Sequence, residues 1–377
     1  MSVKIIVDST ADLNEAIKDQ VAIVPLTICF GEEEYVDGVT ITHHQFYEKL
    51  VESDILPTTS QASPSAFMKV FDEVLGPDDS AVVLTISSKL SGTCQSALIA
   101  AAEYPNVHVV DGSSAAIGSG ILAEYALRLV DMGKSAEEIA SILEEKKKDV
   151  CLIAMLDTLE YLKKGGRLSS TVAFAGGLLN IKPVVNIEDG EIHILGKARG
   201  SKQGNNLLIQ EIQKVGGIDF TMPILLGYTG LTDVLLKKYI KDSSDLWENG
   251  TDTLNYTTVG SVIGTHTGPG VIAAAFFKKK KLPGTGSATR TSQGVSYLLF
   301  GVLAMVVILL LDFPVNQKGQ SRTERNNSGN CCNFLEISYN NGFQDLAAKL
   351  EFQSYSKSLC KCQLHIGPTA GIIIKSL

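Results

Sequence analysis

The sequence of 377 residues lacks the short motifs that mark several common enzyme classes. It contains no G-x-S-x-G nucleophile elbow, no G-x-x-x-x-G-K-[ST] phosphate-binding loop and no H-E-x-x-H zinc motif, and no G-x-G-x-x-G follows the first predicted strand. These absences argue against an α/β-hydrolase, a P-loop NTPase, a zincin and a dinucleotide-dependent enzyme. A triad of Ser91, His266 and an acid such as Asp111 stays open, although nothing around Ser91 indicates an activated nucleophile.

Positive charge is also scarce, and it is unevenly distributed. The chain has 33 Lys and Arg against 41 Asp and Glu, a net charge of -8, so we expect no nucleic-acid partner. Residues 1–280 carry 24 basic and 36 acidic side chains, whereas residues 281–377 carry 9 and 5. The sequence therefore changes character near residue 280, and residues 281–377 are predicted to be a distinct, atypical extension.

Cysteines are few in the first part and crowded in the extension. Cys29, Cys94 and Cys151 are scattered through residues 1–280, which favours a reduced, cytoplasmic protein without disulfides. The other four lie in the last 47 residues, at Cys331, Cys332, Cys360 and Cys362. Their spacing lacks the C-x-x-C pairs of a structural zinc site, so we predict no metal.

Long hydrophobic runs are absent except for one in the extension. The apolar residues near the N-terminus are too few for a secretory signal. Residues 291–311 carry no charge, and their richest part, 295–311, would form a helix about 26 Å long, just enough to span a bilayer. Three interpretations stay open for the extension: a membrane anchor, a wall-sorting signal beginning with L-P-G-T-G at 282–286, or a segment without a fold.

The fold class follows from how apolar runs alternate with helical stretches. Residues 1–155 alternate short β-branched runs with amphipathic stretches, which predicts an α/β domain with a mainly parallel sheet. In residues 156–280, Asp189 and Gly190 between two apolar runs indicate a hairpin, so this part is predicted to be an α+β domain with an antiparallel sheet. The predicted strands cover residues 3–7, 22–28, 81–86, 107–110, 151–155, 183–187, 191–195, 223–228 and 254–263.

Hydroxyl side chains cluster where ligands gather in such sheets, beyond the carboxyl ends of the strands. One cluster follows the first strand and includes Thr10, a second contains Thr59 and Ser60, and a third ends in Ser91 and Gly92 before a helix. Each hydroxyl alone is explained by helix capping. Three converging clusters instead predict a site for a carboxylate or phosphate, because a helix N-terminus also attracts anions.

Three further residues are candidates for the same site. His266 is predicted to lie in a turn of small residues, where its imidazole could donate to an anion, although a structural histidine is as plausible. Arg167 and Arg199 lie on basic glycine loops and could bind a phosphate or dock a partner; solvated charge explains either one equally well. His43 and His44 are expected to be ordinary surface residues.

Six short motifs occur in an order and spacing that resemble the DegV family of bacterial fatty-acid-binding proteins. They are V-D-S-T at 7–10, T-S-Q at 59–61, S-S-K-L-S-G-T at 87–93, V-D at 110–111, K-G-G-R at 164–167 and G-T-H-T-G-P-G at 264–270. The resemblance covers residues 1 to about 280. It implies two domains, 1–155 and 156–280, that hold one long-chain fatty acid in an apolar tunnel between them.

The resemblance also implies roles for individual residues. Hydroxyls of Thr59 and Ser91 would bind the carboxylate, with Ser60 and Gly92 beside them and His266 reaching the same group. No cofactor is implied apart from the fatty acid ligand.

Members of this kind carry the acyl group for bacterial fatty acid kinase, in which a separate ATP-dependent partner makes an acyl phosphate for phospholipid synthesis. Arg167 and Arg199 would dock that kinase or steady the phosphate. The chain would then be a carrier and not itself an enzyme. The alternative is an enzyme, either an acyl hydrolase that uses Ser91 and His266 or a relative of small-molecule kinases.

Overall fold

The computed structural model describes residues 2–168, 181–247, 250–251 and 254–279, together with four strands in the extension. The chain divides into two compact units, Met1–Leu282 and Pro283–Leu377. This division falls close to the change in composition near residue 280.

The first part of the larger unit contains eight strands and five helices. In chain order these are β1 (Val3–Asp8), β2 (Val21–Val24), β3 (Thr27–Phe30), β4 (Glu33–Val36), α1 (His43–Glu52), β5 (Thr58–Ser60), α2 (Pro64–Val74), β6 (Ser80–Thr85), α3 (Thr93–Ala101), β7 (Val107–Asp111), α4 (Ala116–Asp131), α5 (Ala136–Lys146) and β8 (Val150–Met155). The remaining elements of this unit are α6 (Glu160–Lys164), β9 (Ile181–Glu188), β10 (Glu191–Arg199), α7 (Gly200–Lys214), β11 (Leu225–Tyr228), α8 (Val234–Asp242), β12 (Tyr256–Thr258), α9 (Ser261–Thr267) and β13 (Ile272–Phe277).

Three sheets organise these elements. The first is a parallel sheet in the order β2-β1-β6-β7, and a small antiparallel sheet in the order β4-β3-β5 accompanies it. The third has six strands in the order β10-β9-β8-β13-β11-β12 and is antiparallel except where β11 meets β12. The predicted fold class is therefore confirmed: a parallel-sheet α/β domain joined to a second domain with a mainly antiparallel sheet.

Helix start signals in the sequence correspond to real caps. The Ser63 hydroxyl accepts a hydrogen bond from the amide of Ala66, and Pro64 occupies the first position of α2. Ser135 and Glu138 form a reciprocal capping box at the start of α5. On α2, Phe67 and Phe71 are fully buried, as expected for residues spaced by one turn.

One helix that the sequence did not reveal, α4, lies between the two large sheets. It contacts β1 and β6 on one side and β8, β11 and β13 on the other. The first half of the helix, up to Ala123, faces a sheet on both sides and is apolar or small all round, whereas Glu124 and Arg128 form an ion pair on its less buried second half. Small residues are obligatory here: a Cβ at Gly120 would lie 2.0 Å from the backbone oxygen of Asp12.

Three strand predictions differ from the structure. The predicted strand 22–28 is two strands, because the chain turns at Pro25 and Leu26 and β3 joins the small sheet. Residues 151–155 were grouped with the first domain, whereas β8 pairs with β9 and β13 in the six-stranded sheet. The predicted strand 254–263 is the short strand β12 followed by α9.

In the extension, four strands form an antiparallel sheet: β14 (Phe334–Asn340), β15 (Asp345–Gln353), β16 (Leu359–Ile366) and β17 (Ile372–Ser376). The sequence alone left the fold of this extension open, with a segment without a fold as one of three interpretations. The proposed apolar span at 295–311 and the motif at 282–286 lie outside the described residues. Within the described part of the chain, no helix combines the length and the hydrophobicity needed to cross a bilayer.

Candidate functional site

The larger unit contains a cavity of about 420 Å³ whose wall is mostly apolar. Strands of the six-stranded sheet supply much of this wall: Leu152, Ala154, Val185, Ile187, Ile192 and Ala273. Ala154 lies opposite Ala273 on one neighbouring strand and opposite Val185 on the other, so three small or branched side chains line one stretch of the cavity. A volume of this size is typical of small-molecule sites.

Six of the seven predicted site residues line this cavity: Thr59, Ser60, Ser91, Gly92, Arg167 and His266. The seventh, Arg199, is exposed at the junction of β10 and α7 and is not among the lining residues. Its amide donates to Oε1 of Gln203 at 2.9 Å. The structure therefore separates Arg199 from the other six.

The central polar contact joins Thr59 to His266. Thr59 Oγ1 and His266 Nε2 are 2.8 Å apart. Thr59 lies on β5, where it pairs with the fully buried Ile28 of β3, and this pairing fixes its position. His266 lies on α9. The site therefore forms between β5 and α9.

The position of His266 corrects the sequence prediction. The motif at 264–270 is the end of α9 and the bend that follows it, not a turn after a strand. Glycines in this motif allow close packing: a Cβ at Gly264 would lie 2.6 Å from the Tyr47 hydroxyl, and Gly268 has φ +72° beside the ring of Tyr161. The helix ends where Gly268 turns to a positive φ, a conformation that glycine adopts more readily than other residues.

The imidazole of His266 is held neutral. Burial lowers its pKa to about 4, and the positive charge of Arg167 acts in the same direction. Among the described residues Nδ1 makes no hydrogen bond, and it lies so close to Gly165 that a Cβ there would approach within 2.2 Å. If the ring proton is on Nε2, the imidazole donates a hydrogen bond to the Thr59 oxygen. The threonine hydroxyl can then donate its own hydrogen to an anion in the cavity.

Arg167 connects the loop before α3 to the loop after α6. Its Nε donates to the carbonyl oxygen of Leu90 at 3.1 Å, and its Nη1 donates to the carbonyl oxygen of Gly165 at 2.7 Å. These bonds bring Ser91, next to Leu90, and His266, next to Gly165, to the same end of the cavity. They also hold a positive charge there without an acidic partner among these contacts.

Ser91 and Gly92 directly precede α3, and Gly92 is its N-cap. The Ser91 hydroxyl is 2.9 Å from the hydroxyl of Thr93 and accepts a longer bond, 3.3 Å, from the Thr93 amide. It therefore supports the first turn of the helix and lines the cavity as well, so capping and ligand contact are not exclusive. A side chain at Gly92 would require Gln61 to move, because a Cβ there would lie 2.0 Å from Oε1 of Gln61.

Five other polar residues line the cavity: Thr10, Gln61, Asn186, Thr229 and Thr267. The Thr10 hydroxyl donates to buried Asp8 at 2.5 Å, and Asp8 in turn accepts from the amide of Ile86. Burial raises the pKa of Asp8, and the Thr10 and Ile86 donors partly offset this rise. Asn186 and Thr229 were missed by the sequence analysis; a polar residue within the apolar run 184–187 was the available signal for Asn186.

The proposed catalytic triad does not form a connected set. Asp111 accepts from the hydroxyl of Ser88 at 2.5 Å and from the amide of Ser113, whereas Ser91 contacts Thr93 and His266 contacts Thr59. A search of the described residues finds no group of three or more His, Cys, Asp or Glu side chains arranged to hold a metal ion. The arrangement is suited to binding an anion at one end of an apolar cavity.

Comparison with known proteins decides the family. A family model described as an uncharacterised protein of the DegV family matches residues 2–279. The chain belongs to the DegV family. This confirms the resemblance inferred from the six motifs.

Individual DegV relatives match the same region. A DegV domain-containing protein of Caldanaerobacter subterraneus is 36% identical over 284 residues, covering 74% of this chain and 99% of the relative. A solved structure of a DegV family protein from Thermus thermophilus, described by its fatty acid binding, is 34% identical with a TM-score of 0.66 and covers 74% of this chain and all of that one. The Fatty Acid Kinase B3 protein of Streptococcus pneumoniae, loaded with linoleic acid, is 24% identical with a TM-score of 0.65 over the same shares and shows a common fold.

Proposed function

We propose that this DegV protein binds one long-chain fatty acid in the cavity. Its carboxylate would contact Thr59, Ser91 and His266, with Ser60 and Gly92 beside them. The observation that carries the proposal is the 2.8 Å contact between Thr59 and His266 at the polar end of an otherwise apolar cavity of about 420 Å³. Such a cavity matches a ligand with one anionic end and a long apolar remainder.

The apolar wall would supply most of the affinity. Burying about 12 methylene groups at about 0.8 kcal/mol each gives roughly 10 kcal/mol before ordering costs. Hydroxyl and imidazole donors add orientation, because an unpaired carboxylate inside the protein would be strongly unfavourable. The solved relative from Thermus thermophilus, described by its fatty acid binding, supports the same ligand class.

The chemistry of the head-group site favours an anion over a neutral group. Arg167 places a positive charge at this end of the cavity, and the amides of the first turn of α3 follow Ser91. A carboxylate bound there would stabilise a proton on His266 and raise its pKa from the depressed value of the empty site. Ligand binding and the protonation of His266 are therefore linked.

We further propose that the bound carboxylate is presented to an ATP-dependent kinase partner for acyl phosphate formation. The sequence has no nucleotide-binding motif of its own, which fits a carrier. Arg167 lies at the carboxylate end of the cavity, and Arg199 is exposed on the surface. In this proposal Arg199 contacts the partner, whereas Arg167 acts on the ligand side.

Native mass spectrometry of the purified protein tests the proposed ligand, with solvent extraction and mass analysis of whatever is released. We expect one C14 to C20 fatty acid per chain. A protein that carries no lipid and also ignores added fatty acid would refute fatty acid binding.

Acyl phosphate formation with a purified fatty acid kinase, ATP and loaded protein tests the partner. Arg199→Ala is expected to slow this reaction while leaving the amount of bound lipid unchanged. Wild-type rates in that variant would remove Arg199 from the proposal. Steady hydrolysis of p-nitrophenyl esters that Ser91→Ala abolishes would favour the hydrolase alternative instead.

A further inference from the structure

Asp12 is not among the residues that line the cavity, yet it contacts the helix that carries His266. Its side chain is 4% exposed, and Oδ1 accepts a hydrogen bond of 2.7 Å from the amide of Gly260. Gly260 is the residue directly before α9, and His266 is near the other end of this short helix. We propose that Asp12 is a positioning residue: by fixing the start of α9 it keeps the imidazole of His266 within hydrogen-bond distance of Thr59. The inference rests on the proposed function.

The length of α9 explains why its start matters to its end. From Gly260 to His266 the helix rises only about 9 Å, so α9 is expected to move as one rigid unit. Thr59 contacts the end of α9 at His266, and Asp12 contacts the residue before its start, Gly260. A shift of the first turn would therefore displace the imidazole.

Helix α1 packs against the side of α9. The Tyr47 hydroxyl donates to the carbonyl oxygen of Val259 at 2.9 Å, and its ring packs against Gly264. These contacts fix the distance between α1 and α9. The Tyr47 bond holds Val259, whereas the bond to Asp12 holds Gly260, the residue directly before α9.

The surroundings of Asp12 show which of its properties is needed. A second cavity of about 180 Å³ is lined by Asp12, Asp37, His43 and Lys18, and Asp37 is only 3% exposed. Burial raises the pKa of Asp12 well above its ordinary value; the Gly260 amide and Lys18 oppose this rise, and the charge of Asp37 adds to it. Asp12 can therefore carry a proton on Oδ2 while Oδ1 accepts from Gly260, and asparagine closely imitates that state.

Four variants separate positioning from general stability. Asp12→Ala removes the acceptor, and Asp12→Ser, whose hydroxyl is shorter, replaces it if the alanine variant does not fold. Asp12→Asn keeps an acceptor at the same position. Asn205→Ala is the matched control, because Asn205 is also a buried polar residue, 2% exposed, and it donates to Asp242 between α7 and α8 rather than near α9.

Two measurements follow. Nitrogen NMR of the ligand-free protein reports the His266 imidazole, with His266→Gln identifying its signals, and titration with oleic acid gives the affinity. Asp12→Ala is expected to move the Nε2 signal and to weaken binding about tenfold, the loss expected when one hydrogen bond at the carboxylate of the ligand is misplaced. Asp12→Asn should restore both to within about twofold of wild type, and Asn205→Ala should lower only the melting temperature.

The outcomes distinguish this inference from the proposed function. An unchanged His266 signal in Asp12→Ala would overturn the positioning role, and so would an asparagine variant as impaired as the alanine variant. If the wild-type protein binds no fatty acid, the proposed function fails. The His266 signal still decides whether Asp12 positions the imidazole.

Discussion

Thr59 and His266 are 2.8 Å apart at Oγ1 and Nε2, although 207 residues separate them in the chain. One residue belongs to a three-stranded sheet and the other to a seven-residue helix. The proposed head-group site therefore forms only after distant parts of the larger unit have packed together. Neither residue alone would mark a binding site.

Removing the Thr59 hydroxyl tests this contact directly. Thr59→Val keeps the shape of the side chain and deletes the donor to the carboxylate, so we expect fatty acid binding to weaken about tenfold, as for loss of one hydrogen bond to a charged group. Titration with oleic acid measures the change. Thr267→Val is the matched control, because Thr267 also lines the cavity but its hydroxyl already donates to Ile263 within α9. Equal losses in the two variants would contradict the role of Thr59.

Gly165 offers a test that leaves every polar group in place. A Cβ there would lie 2.2 Å from Nδ1 of His266, so Gly165→Ala should displace the imidazole and weaken fatty acid binding at least about fivefold, the cost of a misplaced hydrogen bond. Gly76→Ala is the control, because a Cβ there would lie no closer than 3.3 Å to its nearest neighbour, the side chain of Asp79. Unchanged affinity in Gly165→Ala would show that His266 does not contact the ligand.

The low pKa of His266 predicts a specific loss of stability in acid. The pKa is about 4 in the folded protein and 6.5 ordinarily, so between these values the unfolded chain binds a proton that the folded chain rejects. The stabilising contribution is complete above pH 6.5 and is lost as the pH falls to about 4. It amounts to at most about 3 to 4 kcal/mol.

Chemical denaturation between pH 4 and 7 checks this prediction with His266→Asn, which cannot take up the proton. The free energy of unfolding of the variant should fall less steeply on acidification than that of the wild type. Contributions of Asp8, Asp12 and Asp37, whose buried carboxyl groups have raised pKa values, cancel in the difference. If the free energy of unfolding fell in parallel with pH for wild type and His266→Asn, the predicted contribution of His266 would be disproved.

The sequence predicted the parts of the fold that have periodic or capping signals. Ser63 with Pro64 and Ser135 before Ala136 indicate helix starts in the sequence, and the structure begins α2 and α5 there. Helix α4 carried no such signal, because it is buried between two sheets and begins without a side-chain cap at Ala115. Strand β8 was detected as a strand, but its sheet depends on long-range pairing that no local pattern encodes.

The candidate site was predictable to a similar extent. Hydroxyl clusters after strands identified Thr59 and Ser91 by type and position, and the structure places both in the cavity lining. The helix beneath His266 was not foreseen, because glycines at 264 and 268 suggest a turn when their packing partners Tyr47 and Tyr161 are unknown. Asp12 lacked any local signal, since its contact with Gly260 spans 248 residues.

Chain-length selection provides the last prediction and depends on Ala154. This residue lines the cavity, and its partners across the sheet, Ala273 and Val185, line it too. Ala154→Leu would fill the space of about three methylene groups, and at about 0.8 kcal/mol each a long acyl chain should lose at least about tenfold in affinity while a C10 acid loses little.

Titration of Ala154→Leu with C10 and C18 acids measures this difference. Ala102→Leu, at an exposed position after α3, controls for the added hydrophobic surface. Equal losses for both acids would mean that the substitution distorts β8 rather than shortening the cavity, and the acyl chain would then have to lie elsewhere. A loss confined to the longer acid would place the chain against the six-stranded sheet, because only a ligand that reaches Ala154 can sense its size.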